Sequence, residues 1–475
     1  MKKALGLVLL CSFSTVFGAT VKLDYVLDPS QFGLDANGFG TAICVDGNRI
    51  AVHQSSGNGL VHVFNGSTAT GFTKQRTITS PDTTYNRPSF GESLGFRGNL
   101  LYVGSPLTWR VAPHDGIAYL FNLNDGSLKE SWTESPHAAE YFAEVGGIRD
   151  DVLYVCQGEN PGWQTKSGVF LYSLTESGTR TPIWSFIQPE TGIETVPIGA
   201  THNRIFVSSR VNGVGDQTIT IYDIMRDGTG SFTGVLTNST ITSTNLFCSS
   251  FNSIAVSDTS FAFGNPIYTN GSVSCGAVFI YTMTSPQSWT LTSTIYPPTP
   301  DADAFFGAAL DYSQGKLIVG SPGYNSTGTK PGCVYIYDLD SSGSPVNWQR
   351  YQPAEYKFGQ EEIFGAALTH TTDGVVVGSG GGVWLTGLES QDINKFGKGA
   401  LYFLSFGPSP LLEIKVSKVK VTQHLIVGHK YVLESSSDLN TWTQVGAQFT
   451  ADSESITQEY DVDQIGRYFQ LREIQ

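Results

Sequence analysis

The residue types that most often do chemistry are present in this chain, but they form no recognisable catalytic pattern. The eight histidines include no H-x-x-x-H or H-E-x-x-H spacing of the kind that holds zinc. There is no G-x-S-x-G turn, and the "GSGGG" stretch at 378–382 lacks the following helix that a phosphate loop requires. A catalytic carboxylate pair assembled from distant segments stays open, but no pair stands out. We therefore predict no cofactor, no metal site and no enzymatic activity.

The composition favours a chain of short strands and argues against two classes of partner. Only 15% of the 475 residues are charged, 12% are aromatic and 53 are glycine, which is typical of strands joined by tight turns. The net charge of −14 disfavours binding to nucleic acid or to an anionic membrane. Beyond the N-terminal segment, no apolar stretch is long enough to span a membrane.

One sequence pattern recurs seven times between residues 39 and 406. Its clearest copies are "FGESLGFRGNLLYVGSP" at 90–106 and "FGAALDYSQGKLIVGSP" at 306–322. The pattern is an FG pair, a first apolar strand, a short turn and a second strand ending in GSP or a remnant, and copies four and five are degenerate. A loop then leads to a glycine and an alternating aromatic strand. The copies begin 51 to 58 residues apart, near positions 39, 90, 142, 194, 251, 306 and 364.

A fourth strand follows each aromatic strand except the last, so each repeat has the four strands of a β-propeller blade. The segment "VKLDYVLDP" at 21–29 is similar to these fourth strands, whereas the seventh copy has none of its own. We therefore predict an all-β fold with a seven-bladed propeller over residues 20–406. In this prediction the strand at 21–29 completes blade seven, which removes an exposed edge.

These copies resemble FG-GAP repeats, the units of the integrin α-subunit propeller and of many bacterial secreted proteins. The resemblance implies a seven-bladed propeller and a role in extracellular recognition or adhesion. Many FG-GAP repeats carry a D-x-D-x-D-G calcium loop between the first two strands. The corresponding turns here, such as "VDGN" and "FRGN", are too short and hold too few acids, so we predict no calcium site.

The long loops of the repeats lie on one face of the predicted ring and carry aromatic residues that are suited to protein or carbohydrate contact. The alternative is that these aromatics pack one loop against another. The candidate ligand-binding residues are Trp109, Arg110, Trp163, Tyr268, Tyr324 and Trp384.

A disulfide between Cys248 and Cys275 is a further prediction. The first lies just before the first strand of copy five and the second just before its third strand, so both are at the same end of one blade. One strand separates them, which puts the Cα atoms about 10 Å apart in regular structure. A bridge therefore requires the loops to converge.

The two ends of the chain depart from the repeat pattern. Residues 1–19 have two lysines, an apolar run and small residues at the end, which is typical of a secretory signal peptide. Residues 407–475 form alternating strands without an FG pair and predict a small β-sandwich-like module. That module is similar to a C-terminal one in secreted planctomycete and verrucomicrobial-type bacterial proteins, with "YVLESSSDLNTW" and "RYFQLR" as its matching segments.

Together these patterns predict a secreted or cell-surface recognition or adhesion protein that binds a protein or glycan ligand through one loop face. Two other functions stay open. One is an extracellular polysaccharide-active lyase or hydrolase on a propeller scaffold, and the other is a scaffold in a surface assembly. The sequence leaves the ligand and the oligomeric state open.

Overall fold

The computed structural model describes residues 21–82, 89–106, 116–133, 142–158, 166–174, 181–188, 193–211, 217–243, 253–324, 332–340, 343–359, 362–380, 397–406, 418–436, 441–461 and 468–474. These residues contain strands, turns and one short 3₁₀-helix (Pro29–Phe32), but no α-helix. Within them, no helix has the length and apolar character needed to cross a membrane. They divide into two compact units, one over 21–406 and one over 418–474.

The larger unit contains thirty strands. In chain order they are β1 (Val21–Leu27), β2 (Phe39–Asp46), β3 (Arg49–Gln54), β4 (Leu60–Ser67), β5 (Gly71–Thr79), β6 (Ser93–Arg97), β7 (Leu100–Ser105), β8 (Ile117–Asn122), β9 (Leu128–Trp132), β10 (Gly146–Arg149), β11 (Val152–Gln157), β12 (Gly168–Ser173), β13 (Trp184–Ile187), β14 (Ile193–Ala200), β15 (Arg204–Val211), β16 (Gln217–Arg226), β17 (Phe232–Ser243), β18 (Ile254–Val256), β19 (Ser260–Asn265), β20 (Thr269–Asn270), β21 (Val273–Ser274), β22 (Ala277–Ser285), β23 (Ser288–Ile295), β24 (Ala309–Ser313), β25 (Lys316–Ser321), β26 (Cys333–Leu339), β27 (Pro345–Tyr351), β28 (Ala367–His370), β29 (Gly374–Gly378) and β30 (Leu401–Phe406).

These strands form seven antiparallel four-stranded sheets, which are the blades of a β-propeller. Blades one to four are β2–β5, β6–β9, β10–β13 and β14–β17. Blade five is β18, β19, β22 and β23, with the small β20–β21 hairpin in its loop, and blade six is β24–β27. Blade seven has the order β28, β29, β30, β1. The predicted fold class, an all-β propeller followed by a small β module, is confirmed.

The ring is closed by the first strand. Leu27 is opposite Leu401 and Val21 is opposite Phe406, so β1 runs antiparallel to β30. The fourth strand of blade seven therefore comes from the opposite end of the propeller sequence from its other three strands. The buried side chain of Leu27 lies in one apolar cluster with Phe39 of blade one and Leu401 of blade seven.

The core of the propeller lies between blades. The described residues of the propeller contain eight apolar clusters, and seven of these are each made mainly from the facing sheets of two neighbouring blades. Burial of these side chains is the main stabilising term, because a single four-stranded blade has no core of its own. The seam between blades seven and one, for example, includes Phe64, Val376 and Phe403.

The FG pair has a structural role at these seams. The FG phenylalanines of blades one, two, three, six and seven are fully buried. At the seam between blades six and seven, a Cβ added to Gly332 would lie 2.1 Å from the carbonyl oxygen of Phe364, and Gly332 has φ +81°. The same contact joins Gly59 to Phe90, Gly116 to Phe142, Gly276 to Phe306 and Gly399 to Phe39. At these five seams, the glycine before the third strand thus lets the next blade approach closely.

The smaller unit contains five strands in two sheets. They are β31 (Lys418–His424), β32 (Lys430–Ser436), β33 (Thr443–Thr450), β34 (Ser455–Asp461) and β35 (Tyr468–Ile474). Strands β31 and β34 pair, and the other sheet has the order β33, β32, β35. Leu425, Tyr431 and Ala451 form a small apolar core with Phe449 packed against it.

Candidate functional site

The two ends of the propeller ring differ in their connections. At one end lie the FG pairs and the loops between second and third strands, and we call this end the loop face. At the other end lie the short turns that join first to second and third to fourth strands, and we call it the turn face. The antiparallel order of every blade fixes this assignment.

Two of the six predicted ligand-binding residues lie within the described part of the chain. These are Tyr268 in blade five and Tyr324 in blade six. The other four, Trp109, Arg110, Trp163 and Trp384, lie outside the described residues.

Tyr268 lies in an aromatic group at the loop face of blade five. Its ring centroid is 5.5 Å from that of Phe279 below it and 6.0 Å from that of Tyr296. Tyr268 is half-buried and packs against the core between blades four and five. Tyr296, which the sequence patterns did not single out, is 38% exposed and offers its ring to solvent. Burial and the neighbouring Tyr268 raise the pKa of its phenol.

Tyr324 is a core residue, which corrects its predicted place on a binding surface. Only 5% of it is exposed, and it packs with Tyr335 in the cluster between blades five and six. The guanidinium of Arg350 lies 4.7 Å from the centre of the Tyr324 ring and also donates a hydrogen bond to its hydroxyl. This aromatic residue of the loop after "GSP" therefore packs in the core between two blades, which agrees with the alternative that the loop aromatics serve packing and not ligand binding.

The predicted disulfide is not seen at Cys275, which is a free, fully buried thiol. Burial raises the pKa of this thiol, and its sulfur lies 3.6 Å from the carbonyl oxygen of Gly276. Its neighbour Gly276 packs on the backbone of Phe306 in the next blade, which keeps Cys275 at the seam. Cys248, the predicted partner, lies outside the described residues.

A buried polar network anchors the loop that precedes blade seven. The carboxylate of Glu362, 1% exposed, accepts hydrogen bonds from the Tyr402 hydroxyl at 2.9 and 2.8 Å and from the Phe358 N–H at 2.6 Å. Burial raises the pKa of Glu362. The same hydroxyl accepts a hydrogen bond from the Lys357 N–H, and the Lys357 ammonium pairs with Asp28 at 2.9 Å. The loop is therefore tied to both the third strand and the closing strand of blade seven.

Two carboxylates follow the FG positions of blades two and three. Glu92 comes after Phe90–Gly91, and Glu144 comes after Phe142–Ala143. Both are half-buried, at the start of first strands that lie next to each other in the ring. Burial raises the pKa of Glu92 to about 8, and the carboxylate of Glu144 adds to this rise. Sequence reasoning missed this pair, although its position in two consecutive repeats was the signal that could have found it.

The described residues contain no group of three or more His, Cys, Asp or Glu side chains arranged to hold a metal ion.

Comparisons with known proteins identify no family. No family model matches the sequence, and no curated protein matches it. Solved β-propeller structures are similar in fold. A complex of KlAtg21 with the coiled coil of AgAtg16 has a TM-score of 0.46 and 11% identity, over 79% of this chain and 100% of that one. Sqt1 from Chaetomium thermophilum has a TM-score of 0.40 and 14% identity, over 82% and 91%. KlHsv2 with loop 6CD replaced by a Gly-Ser linker has a TM-score of 0.38 and 7% identity, over 72% and 89%.

This comparison overturns the predicted secreted or cell-surface location. The similar structures are of Atg21 with Atg16, of Sqt1 and of Hsv2. Residues 1–19, on which the prediction of a signal peptide was based, lie outside the described residues. No location is therefore assigned to this chain.

Proposed function

We propose that this chain is a non-enzymatic recognition protein whose propeller binds a protein or glycan ligand through its loop face. We further propose that its repeats are FG-GAP units. This rests on the recurring FG pairs and on the glycines that contact the FG phenylalanine backbone of the next blade. The observation that carries the function is the construction of the described loop face. Its loops are held in place by buried contacts, such as the hydrogen bond between Glu362 and Tyr402. The side chains of Tyr296 and Lys357 remain at the surface.

Such a surface is suited to binding because its side chains are ordered before a ligand arrives. Ordering of loops and long side chains is a major cost of association, and contacts made in advance reduce that cost. Tyr296 rests on Tyr268, and Lys357 is held by Asp28. Aromatic rings of this kind supply large contact areas with little loss of conformational entropy.

The test combines ligand discovery with a matched set of tryptophan variants. The purified chain is applied to glycan and protein arrays, and affinity for any ligand found is then measured for Trp109→Ala, Trp163→Ala and Trp384→Ala. Each is expected to weaken binding by about 1–3 kcal/mol with little change in thermal stability. Trp348→Ala is the control, because Trp348 is 49% exposed but lies on the outer strand β27, away from the loop face.

The proposal fails if the three loop variants lose stability but retain affinity per folded molecule, because that result assigns these tryptophans to packing between loops. It fails equally if Trp348→Ala weakens binding as much as the loop variants do.

A second candidate function is a polysaccharide-active enzyme, and it is favoured by one observation, the Glu92 and Glu144 pair. One protonated and one ionised carboxyl group is the combination that acid–base catalysis on a glycoside needs. We propose to measure reducing ends and unsaturated products released from a polysaccharide panel. Activity lost in both Glu92→Gln and Glu144→Gln, without a fall in melting temperature, would favour the enzyme over the recognition protein.

A further inference from the structure

A polar cleft opens on the turn face, at the seam where blade seven meets blade one. It has an open volume of about 540 Å³, solvent at its mouth included. Its walls come from the closing strand β1, the turns of blade one and the first turn of blade seven. The cleft therefore lies at the opposite end of the ring from the proposed ligand-binding face.

The cleft has an apolar floor and a polar rim. Phe72 and Phe403 form part of the floor, with ring centroids 4.7 Å apart and nearly parallel planes. The rim has hydroxyl, amide and carboxylate groups, contributed by Asp24, Asn48, Ser67, Thr68, Thr371, Thr372, Asp373 and Ser405. No lysine, arginine or histidine is among the described residues that line it.

Four of the other seams have contacts between the turns of adjacent blades at the corresponding position. Between blades six and seven, Asp311 pairs with His370 at 3.2 Å. Between blades three and four, Asp150 pairs with His202 at 2.7 Å. Arg49 and Asn99 at 3.1 Å, and Asn203 and Asp258 at 2.6 Å, bridge the seams of blades one with two and four with five.

The seam of blades seven and one lacks this bridge among the residues that the structure describes. Asn48 and Asp373 stand on opposite walls of the cleft, one from each blade, and neither side chain hydrogen bonds to the other. The hydroxyl of Thr68 and the carboxylate of Asp373 are both exposed at the rim. The polar groups of this seam can therefore hydrogen bond to a bound molecule, where other seams have a contact between side chains.

The polar groups of the rim indicate which class of ligand the cleft would bind. The Asp24 carboxylate is paired with the Lys22 ammonium at 3.0 Å. The exposed Asp373 carboxylate has no cation beside it among the residues that line the cleft, and it disfavours an anion because it would repel the charge. Hydroxyl groups of a ligand can donate to Asp373 and can exchange hydrogen bonds with the amide and hydroxyl groups of the rim. The apolar floor suits the C–H face of a ring. We propose that the cleft between blades seven and one is a binding site for a neutral saccharide, separate from the loop face.

The test is saturation-transfer NMR and calorimetric titration of the full chain with cellobiose, maltose and lactose, with glucuronate as an anionic counterpart. We expect binding of at least one neutral sugar and at least a five-fold weaker response with glucuronate. Asp373→Asn and Asn48→Ala should each weaken sugar binding about five-fold, which is the effect of losing one hydrogen bond. Asp125→Asn is the matched control, since it removes one exposed turn carboxylate from blade two.

Three results would overturn the proposal. They are absence of binding by all three neutral sugars, equal or tighter binding of glucuronate, and equal affinities of the Asp373→Asn and Asp125→Asn variants. Both aspartates are exposed, so neither substitution is expected to disturb folding, and circular dichroism melts of the variants check this.

Discussion

At the residue scale, Glu92 is the most informative side chain that the structure adds. An ordinary glutamate has a pKa near 4.5, whereas burial, with Glu144 nearby, raises the pKa of Glu92 to about 8. The folded protein therefore binds a proton here that the unfolded chain releases between these two pH values. It follows that Glu92 lowers the free energy of unfolding as pH rises from about 4.5 to about 8, and has no further effect above that range.

Glu92→Gln should remove this dependence. At pH 4.5 the variant and the natural protein should have similar stability, and at pH 8.5 the variant should be more stable, by up to about 5 kcal/mol. Chemical denaturation at a series of pH values measures the difference. Glu355→Gln is a suitable control, because Glu355 is exposed. A stability difference between Glu92→Gln and the natural protein that does not change with pH would contradict the assignment.

Residue-scale features were the least predictable from sequence. Tyr268 and Tyr324 have the same residue type and the same place in their repeats, yet one reaches the loop surface and the other is buried under Arg350. What separates them is a partner on another strand, and the sequence of the loop does not contain that information. The Glu92 and Glu144 pair depends in the same way on two blades being neighbours.

At the element scale, the glycine before the third strand decides how closely the blades approach at five seams. Gly332→Ala should be strongly destabilising, because the new Cβ would lie 2.1 Å from a backbone oxygen of blade seven and φ is +81°. Gly315→Ala is the control for the backbone strain alone, since Gly315 has φ +71° and open space around its Cβ position. We expect a cost of about 1 kcal/mol for the control and several times that for Gly332→Ala in urea denaturation. Equal costs would show that the close contact between blades is unimportant.

The fourth strands show that the sequence predicted the strands themselves but not their pairing register. Alternating residues predicted that these strands exist, but six of the seven also contain a β-bulge at a similar point. The bulged residues are Asp24, Gln75, Lys129, Asn238, Thr292 and Val346. A bulge kinks the outer edge of a blade and so discourages pairing with another chain. No residue type is shared by these positions, so the pairing register could not be predicted from the sequence.

At the scale of the whole molecule, the repeat pattern was the feature of the sequence that predicted the fold. Seven copies of a unit that cannot bury its faces alone predict a ring, and the seven seams fill with the apolar residues that the pattern supplies. Phe90 and Phe364, which mark the starts of their copies, are both fully buried at seams. The seam cleft could not be predicted, because it depends on which polar turn residues fail to meet after the ring has closed.

Ring closure gives the last prediction. Without residues 21–29, β30 would lose one of its two hydrogen-bonded neighbours, and the seam of blades seven and one would lose the buried side chain of Leu27. We expect this deletion to lower the melting temperature more than Leu27→Ala does, which keeps the strand and should cost about 2–5 kcal/mol. The free edge should also promote self-association, seen by light scattering.

A synthetic peptide of residues 21–29 should restore the melting temperature of the deletion variant as the peptide concentration rises, because the peptide binds only the folded ring. A deletion variant that melts with the full chain, or one that the peptide leaves unchanged, would show that β1 does not hold the propeller closed.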